Sequence, residues 1–440
     1  MGGLGGVSAS AAGGSRALNV IETDPPRRGP DRRADRQITF AGLAVAVGFL
    51  VAAFVSLTVP QAARLGSWLP LHLVLAGAVG TAIAAMLPFF LAALSVAPPA
   101  GAGLRMGSLV LVAGGATAGV LGRLPAVAGA GGLALAGSAA YVAGIAAVGL
   151  AAVLPLRRAS GSRRPLTELA YLIALLDVMA GVSLVAMFLA ADPGVTGHWA
   201  SLRAAHAWLN VFGFVTLAVA GTLVHFAPTV AGSRIRRRRS GVAAVVLLAA
   251  AAPLVATGYA AGPDGVAGLL VRLGAGAAVA GAAALVVHGI QARRDRAGWT
   301  TDLDWHQFTG GSLLLAPAWL LVAAVIAAAG ILEYGADPQG WRLDGIGAPL
   351  VLGFVVQVLL GSMSHLIPAV GPGTPASHAT QRRSLGRGAS ARLAAWNAGV
   401  VILTIGLTAG QDALGQAGLG LVLASGGATL LLLILALRTR

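Results

Sequence analysis

Long apolar stretches separated by short polar ones make up most of the chain after residue 38. A helix needs about 20 apolar residues to cross the hydrocarbon core of a bilayer, and each stretch is of about that length. The pattern therefore predicts an all-α polytopic membrane protein, with one transmembrane domain over residues 39–440. The predicted spans are 39–59, 69–95, 104–122, 130–155, 166–191, 204–230, 241–261, 265–290, 307–332, 344–369, 391–411 and 415–437.

Arginine is distributed unevenly between the two sides of this predicted membrane domain. Loops after even-numbered spans carry arginine clusters, whereas loops after odd-numbered spans carry a single arginine or an acid. By the positive-inside rule, the clusters lie in the cytoplasm, which places both termini there. Residues 1–38 are rich in Gly, Ser and Ala and then in Arg, and we expect a disordered cytoplasmic arm.

The amino-acid composition narrows the class of protein further. The chain contains no Cys, which excludes disulfides, thiolate metal sites and iron–sulfur clusters. The net charge of +15 comes from arginines that set topology, so we expect no nucleic-acid partner. All basic residues are Arg, and Ala, Gly and Val are abundant. This bias is typical of a GC-rich bacterial genome, and we expect a bacterial inner membrane protein in contact with membrane lipid.

Spans 6 and 10 share a motif at matching positions. Each reads Gly-Phe, then Gly eight residues after the first Gly, His twelve after it and Pro fifteen after it. The matched pairs are Gly213 and Gly353, Gly221 and Gly361, His225 and His365, and Pro228 and Pro368. Span 2 is a looser relative, with an early His72 and a late Pro88. A recurrence every four spans predicts three pseudo-symmetric four-helix units.

Twelve spans in three four-helix arcs, with these histidines, resemble subunit I of the heme-copper oxidases. Span 6, with His206, His225, Phe226 and Pro228, is similar to the tenth helix of that family, and His72 resembles its second-helix heme ligand. The copper-site His-His pair of the family is absent, so we expect no oxygen reduction. The chain looks more like the NnrS-like offshoot, which is associated with heme, copper and the nitric-oxide response.

The predicted topology sorts the histidines by depth into two layers. His72 and His206 begin outside-to-inside helices and lie near the outer face, where two facing imidazoles would ligate a heme b. Arg203 and Arg272 are candidate partners for its propionates. The alternative is that both histidines are interfacial residues bonded to carbonyls or water.

His225, His365, His288 and His306 lie near the cytoplasmic ends of spans. Four imidazoles in one layer would suit copper, zinc or a second heme. Alternatively, each one caps carbonyls freed by Pro228 or Pro368, or sits among lipid headgroups. Asp177 falls mid-span, where an isolated acid is costly, and an ion pair with Arg272 or a proton-relay role would explain it.

The leading hypothesis is a heme-binding integral membrane protein for electron transfer or for handling of nitric oxide or another diatomic gas. A quinone or a redox protein would be its electron partner. A polytopic transporter or metal permease is the alternative. A non-catalytic assembly subunit is the third possibility.

Overall fold

A computed structural model gives the fold for most of the chain. It describes residues 32–127, 131–157, 165–236, 238–262, 265–296, 303–338, 343–371 and 373–439, with the side chains of 32, 303–306, 343 and 344 left aside. Residues 1–31 of the arm predicted over 1–38 lie outside the described part. So does the side chain of His306, one of the four histidines assigned to the inner layer.

Twelve helices of the described chain are long and apolar enough to cross a membrane, which confirms the predicted all-α polytopic architecture. We number them α1 to α12 in chain order. They are Arg33–Ser56, Trp68–Leu94, Ala102–Leu121, Gly131–Leu156, Pro165–Leu189, Trp199–Val230, Arg239–Ala261, Gly265–Arg294, Gln307–Tyr334, Gly345–Val370, Ala389–Thr408 and Asp412–Arg438.

The first helix begins earlier than its apolar run at residue 39. Its polar first turn is held by buried Arg105 of α3, which pairs with Asp35 and donates to the Thr39 hydroxyl at 3.0 Å. The same guanidinium donates to the Ala85 carbonyl of α2 at 3.0 Å. These bonds satisfy a charge that would otherwise be costly at this depth, and they tie α1, α2 and α3 together.

The helices form three four-helix units, as the internal repeat predicts. In each unit the first helix packs on the second, and the third and fourth form a close hairpin: α3 with α4, α7 with α8, and α11 with α12. Glycines allow the close approach, since a Cβ on Gly115 would lie 2.6 Å from the Tyr141 backbone nitrogen. The units join in a closed ring through contacts of α4 with α5, α8 with α9, and α12 with α1.

The second helices of the units, α2, α6 and α10, form the centre of the ring. About two-thirds or more of the residues in their apolar windows are buried, against half or fewer in the other nine helices. Each contains a proline near its second end, and Pro88, Pro228 and Pro368 are spaced 140 residues apart. Each also contains a π-helical segment, at Leu73–Val79, Trp208–Val215 and Ala348–Val356. Since π-helical turns are rare and often lie at functional sites, these three segments point to the centre of the molecule.

An apolar cavity with an empty volume of about 730 Å³ lies between these three helices. Its walls are mainly aliphatic, from α2, α6 and α10, with Leu43 of α1 and Tyr171 of α5 completing them. The Tyr171 hydroxyl hydrogen-bonds to the Thr222 hydroxyl at 2.7 Å, so the polar atoms on this wall satisfy each other.

Candidate functional site

His72 and His206 lie in the first parts of equivalent helices of two neighbouring units, but their positions are not equivalent, since the residue 140 positions after His72 is Phe212. His72 is the last residue before the π-helical segment of α2, and His206 lies two residues before that of α6. Both side chains are partly buried. The corresponding position in the third unit, 140 residues after His206, is Ile346. Each of the first two units thus places one histidine at the same end of the central bundle, at positions that the repeat does not relate.

A backbone carbonyl holds the His206 ring. Nδ1 lies 2.8 Å from the Gly181 carbonyl oxygen of α5 and 3.1 Å from the Asn210 amide nitrogen. Because a carbonyl only accepts, we assign the proton to Nδ1 from the shorter contact. Asn210, one turn further on, donates its amide to the His206 carbonyl at 2.7 Å. Nε2 makes no hydrogen bond within the described residues, so it presents its lone pair as a ligand nitrogen does.

The His72 ring is held in the same way. Its Nδ1 donates to the Trp68 carbonyl at 2.8 Å, and the Trp68 indole stacks on the imidazole with ring centroids 4.2 Å apart. Again Nε2 has no hydrogen-bond partner in the part of the chain that the structure describes. Metal-bound histidines typically donate their second nitrogen to a carbonyl or carboxylate, and both rings have this arrangement.

The two imidazoles lie close enough to interact electrostatically, and Arg123, in the turn after α3, also interacts with His72. Arg203 lies exposed on α6, three residues before His206. Arg272 is exposed as well, and its guanidinium contacts the positions of Gly268 and Gly335, on α8 and just after α9. Arg123, which sequence reasoning did not select, is thus the arginine that the fold brings to His72.

The space beside the glycines near the two histidines is filled by other side chains of the protein. A Cβ on Gly77 would meet the Phe49 ring at 2.5 Å, and one on Gly213 would meet Asp177 Oδ2 at 2.5 Å. They let α1 and α5 pack against α2 and α6.

Two of the inner histidines, His225 and His288, interact electrostatically. His288 is buried against Gly241 of α7, reaches the Val224 backbone and interacts electrostatically with His225. The His365 ring instead meets the edge of Phe226, with centroids 5.4 Å apart. No group of three or more His, Asp or Glu that suits a metal ion occurs among the described residues. Copper therefore has no three-residue ligand set in this layer as far as the structure describes it.

Asp177 is buried in α5 against Gly213 of α6. Its Oδ2 has no hydrogen-bond partner, and within the described chain the residue makes no ion pair, since Arg272 contacts α9 instead. An unpaired carboxylate is expensive in such a place, so the group is expected to be a neutral acid.

We expect Asp177→Asn to retain or raise stability, because the amide keeps the shape and removes the ionisable group. The midpoint of thermal unfolding in detergent measures this. The matched variant Asp177→Leu loses the polar group altogether and tests whether the fold needs it. A fall of several degrees in Asp177→Asn would show that the carboxylate has a charged partner.

No family model matches the chain, and no curated protein is significantly similar to it in sequence.

Proposed function

We propose that this membrane protein binds a heme b through His72 and His206, on a scaffold like that of heme-copper oxidase subunit I. One observation carries the proposal. Two partly buried imidazoles from neighbouring units lie within electrostatic range, each with Nδ1 on a backbone carbonyl and Nε2 without a protein partner.

The chain's own groups would prepare the two ligands. The Trp68 and Gly181 carbonyls fix both Nδ1–H tautomers and make each Nε2 a stronger ligand. Asn210 holds the His206 backbone, and Trp68 covers one face of the His72 ring. Arg123 offers a cation for an anionic substituent of the porphyrin. A heme with two histidine ligands supplies one-electron chemistry, which suits electron transfer or the handling of a diatomic gas such as nitric oxide.

The proposal also includes an orientation of the protein in the membrane. The arginine clusters support a cytoplasmic location for both termini and for the loops after even-numbered helices, in the inner membrane of a bacterium. His72 and His206 then lie towards the outer face. The electron partner would be a membrane quinone or a redox protein that approaches from that side. The pair of His225 and His288 would be the start of an inner metal or heme site.

A reduced-minus-oxidised optical spectrum of the purified protein, with heme and iron quantified on the same sample, tests the proposal. We expect a b-type spectrum that the double variant His72→Ala/His206→Ala loses. The control is His198→Ala, which removes an exposed loop histidine whose Nδ1 also lies on a carbonyl, that of Gly194 at 3.0 Å. A well-folded wild-type sample without heme, from cells supplied with heme, would overturn the proposal and favour a transporter.

A further inference from the structure

A second pocket lies at the arginine-rich end of the bundle, where the second and third units meet. It opens between the ends of α6 and α8 and the beginning of α9, with an empty volume of about 770 Å³. Two glycines, Gly289 and Gly310, stand on facing helices and leave the crevice open. Below them the walls are apolar, with Val230 from α6 and Leu313 and Leu314 from α9. None of the histidines whose side chains are described lines this pocket.

Two arginines stand at the mouth of this pocket. Arg293 is in the last turn of α8, and its Nη1 lies 3.9 Å from the position of a Cβ on Gly310 across the crevice. Arg296 follows just after the helix and lines the same pocket. Neither guanidinium makes a hydrogen bond or an ion pair within the described part of the chain. Gln307 adds an amide at the beginning of α9.

The acid nearest in sequence does not neutralise these arginines. Asp295 is bound by Arg238, which donates to its Oδ2 at 2.8 Å, and this hydrogen bond lowers the pKa of the Asp295 carboxyl. Asp295 therefore remains ionised and is paired with Arg238. Among the described residues, the two positive charges above the apolar crevice have no acidic partner and are available to an anionic ligand.

We propose that this pocket binds an anionic phospholipid, with the phosphate between Arg293 and Arg296 and an acyl chain along Leu313, Leu314 and Val230. Guanidinium groups bind phosphate oxygens through charge-assisted hydrogen bonds. Basic pockets between helices on the cytoplasmic side of membrane proteins bind such headgroups. A soluble phosphate would satisfy the arginines alone, whereas the apolar depth of the crevice requires a chain. The lipid would join the second and third units at a seam that closes the ring.

Native mass spectrometry of delipidated protein, titrated with phosphatidylglycerol, phosphatidylcholine or inorganic phosphate, tests the site. We expect phosphatidylglycerol to bind in preference to phosphatidylcholine. Its affinity should fall at least about tenfold in Arg293→Gln/Arg296→Gln, through loss of two charge-assisted contacts. The control Arg294→Gln/Arg383→Gln removes two exposed arginines of the same face that do not line the pocket, and it should bind normally.

A third variant separates the lipid from free phosphate. Gly289→Leu fills the crevice without a serious clash, because the nearest atom to its Cβ would be Leu314 Cδ1 at 3.8 Å. It should weaken phosphatidylglycerol binding and leave the arginines intact. Competition by inorganic phosphate that Gly289→Leu does not change would instead identify a phosphate site and overturn the lipid assignment. Unchanged phosphatidylglycerol affinity in the double arginine variant, or in Arg296→Gln if the double variant does not fold, would overturn the site itself.

Discussion

Replacing His206 by glycine is expected to remove the low-spin heme signal, and imidazole added to the buffer is expected to restore it. Nε2 of His206 would bind the heme iron, and the variant removes the imidazole ring that free imidazole would replace. Even partners that only orient a metal ligand are worth about 10–100-fold in affinity, so loss of the ligand itself should lower heme retention by at least that factor. Optical and electron paramagnetic resonance spectra with increasing imidazole measure both effects.

Rescue by imidazole distinguishes a ligand from a residue that merely stabilises the helix. A structural His206 would lose its hydrogen bond to Gly181 in the variant, and free imidazole would not restore a spectrum. His198→Gly is the matched control, since it deletes the same ring from an exposed position just before α6. A low-spin spectrum that persists in His206→Gly without imidazole would contradict the assignment of this ligand.

The membrane spans are the part of the fold that the sequence predicts best. The run predicted over 265–290 is the helix Gly265–Arg294, and the run over 204–230 is the later part of Trp199–Val230. In lipid each backbone N–H and C=O must be bonded inside the segment, so a long apolar run has few alternatives to a helix. Polar residues at the ends of an apolar run predict the helix boundaries less well. The early start of α1 depends on Arg105, which is 70 residues away from Asp35.

The depth of a residue along the membrane normal can also be predicted from the sequence, whereas its position around the ring cannot. Topology places His225, His288 and His365 in one layer, but only packing decides that His288 faces His225 while Phe226 faces His365. Arg272 is a second example: its predicted depth suits the outer face, yet its guanidinium lies beside Gly335, just after α9. The turn between α3 and α4 brings Arg123 within electrostatic range of His72 on α2, and no local sequence pattern predicts this interaction between different helices.

The sequence contains no signal that predicts the π-helical segments. Helical periodicity of apolar residues is nearly uninformative in helices as buried as α2, α6 and α10, because every face is apolar. What the sequence does contain is the recurrence of Gly, His and Pro in α6 and α10, and it predicts correctly that these helices are equivalent. The equivalence of α2 rests on Pro88, which lies 140 residues before Pro228, and becomes evident only from the π-helical segment and the central place of this helix.

Replacing Gly115 by valine is expected to destabilise the protein by about 2–3 kcal/mol, whereas valine at the neighbouring Gly114 should change stability by less than about 0.5 kcal/mol. A Cβ on Gly115 would lie 2.6 Å from the Tyr141 nitrogen and 2.8 Å from the Gly137 oxygen, and both are backbone atoms that cannot rotate away. A Cβ on Gly114 would have no atom within 4 Å. The two variants have the same composition, so thermal unfolding in detergent compares packing alone.

The hairpin of α3 and α4 also supports the proposed heme site. The two glycine variants therefore test heme retention as well as stability. Tyr141 of α4 donates its hydroxyl to the Ala76 carbonyl at 3.4 Å, one turn after His72 on α2. When Gly115→Val pushes α4 away from α3, Tyr141 must move with it, and the part of α2 that carries His72 loses a support. We therefore expect Gly115→Val to lower heme retention together with stability, and Gly114→Val to leave both unchanged. Full heme retention in a destabilised Gly115→Val would show that His72 is held by α1 and α6 alone.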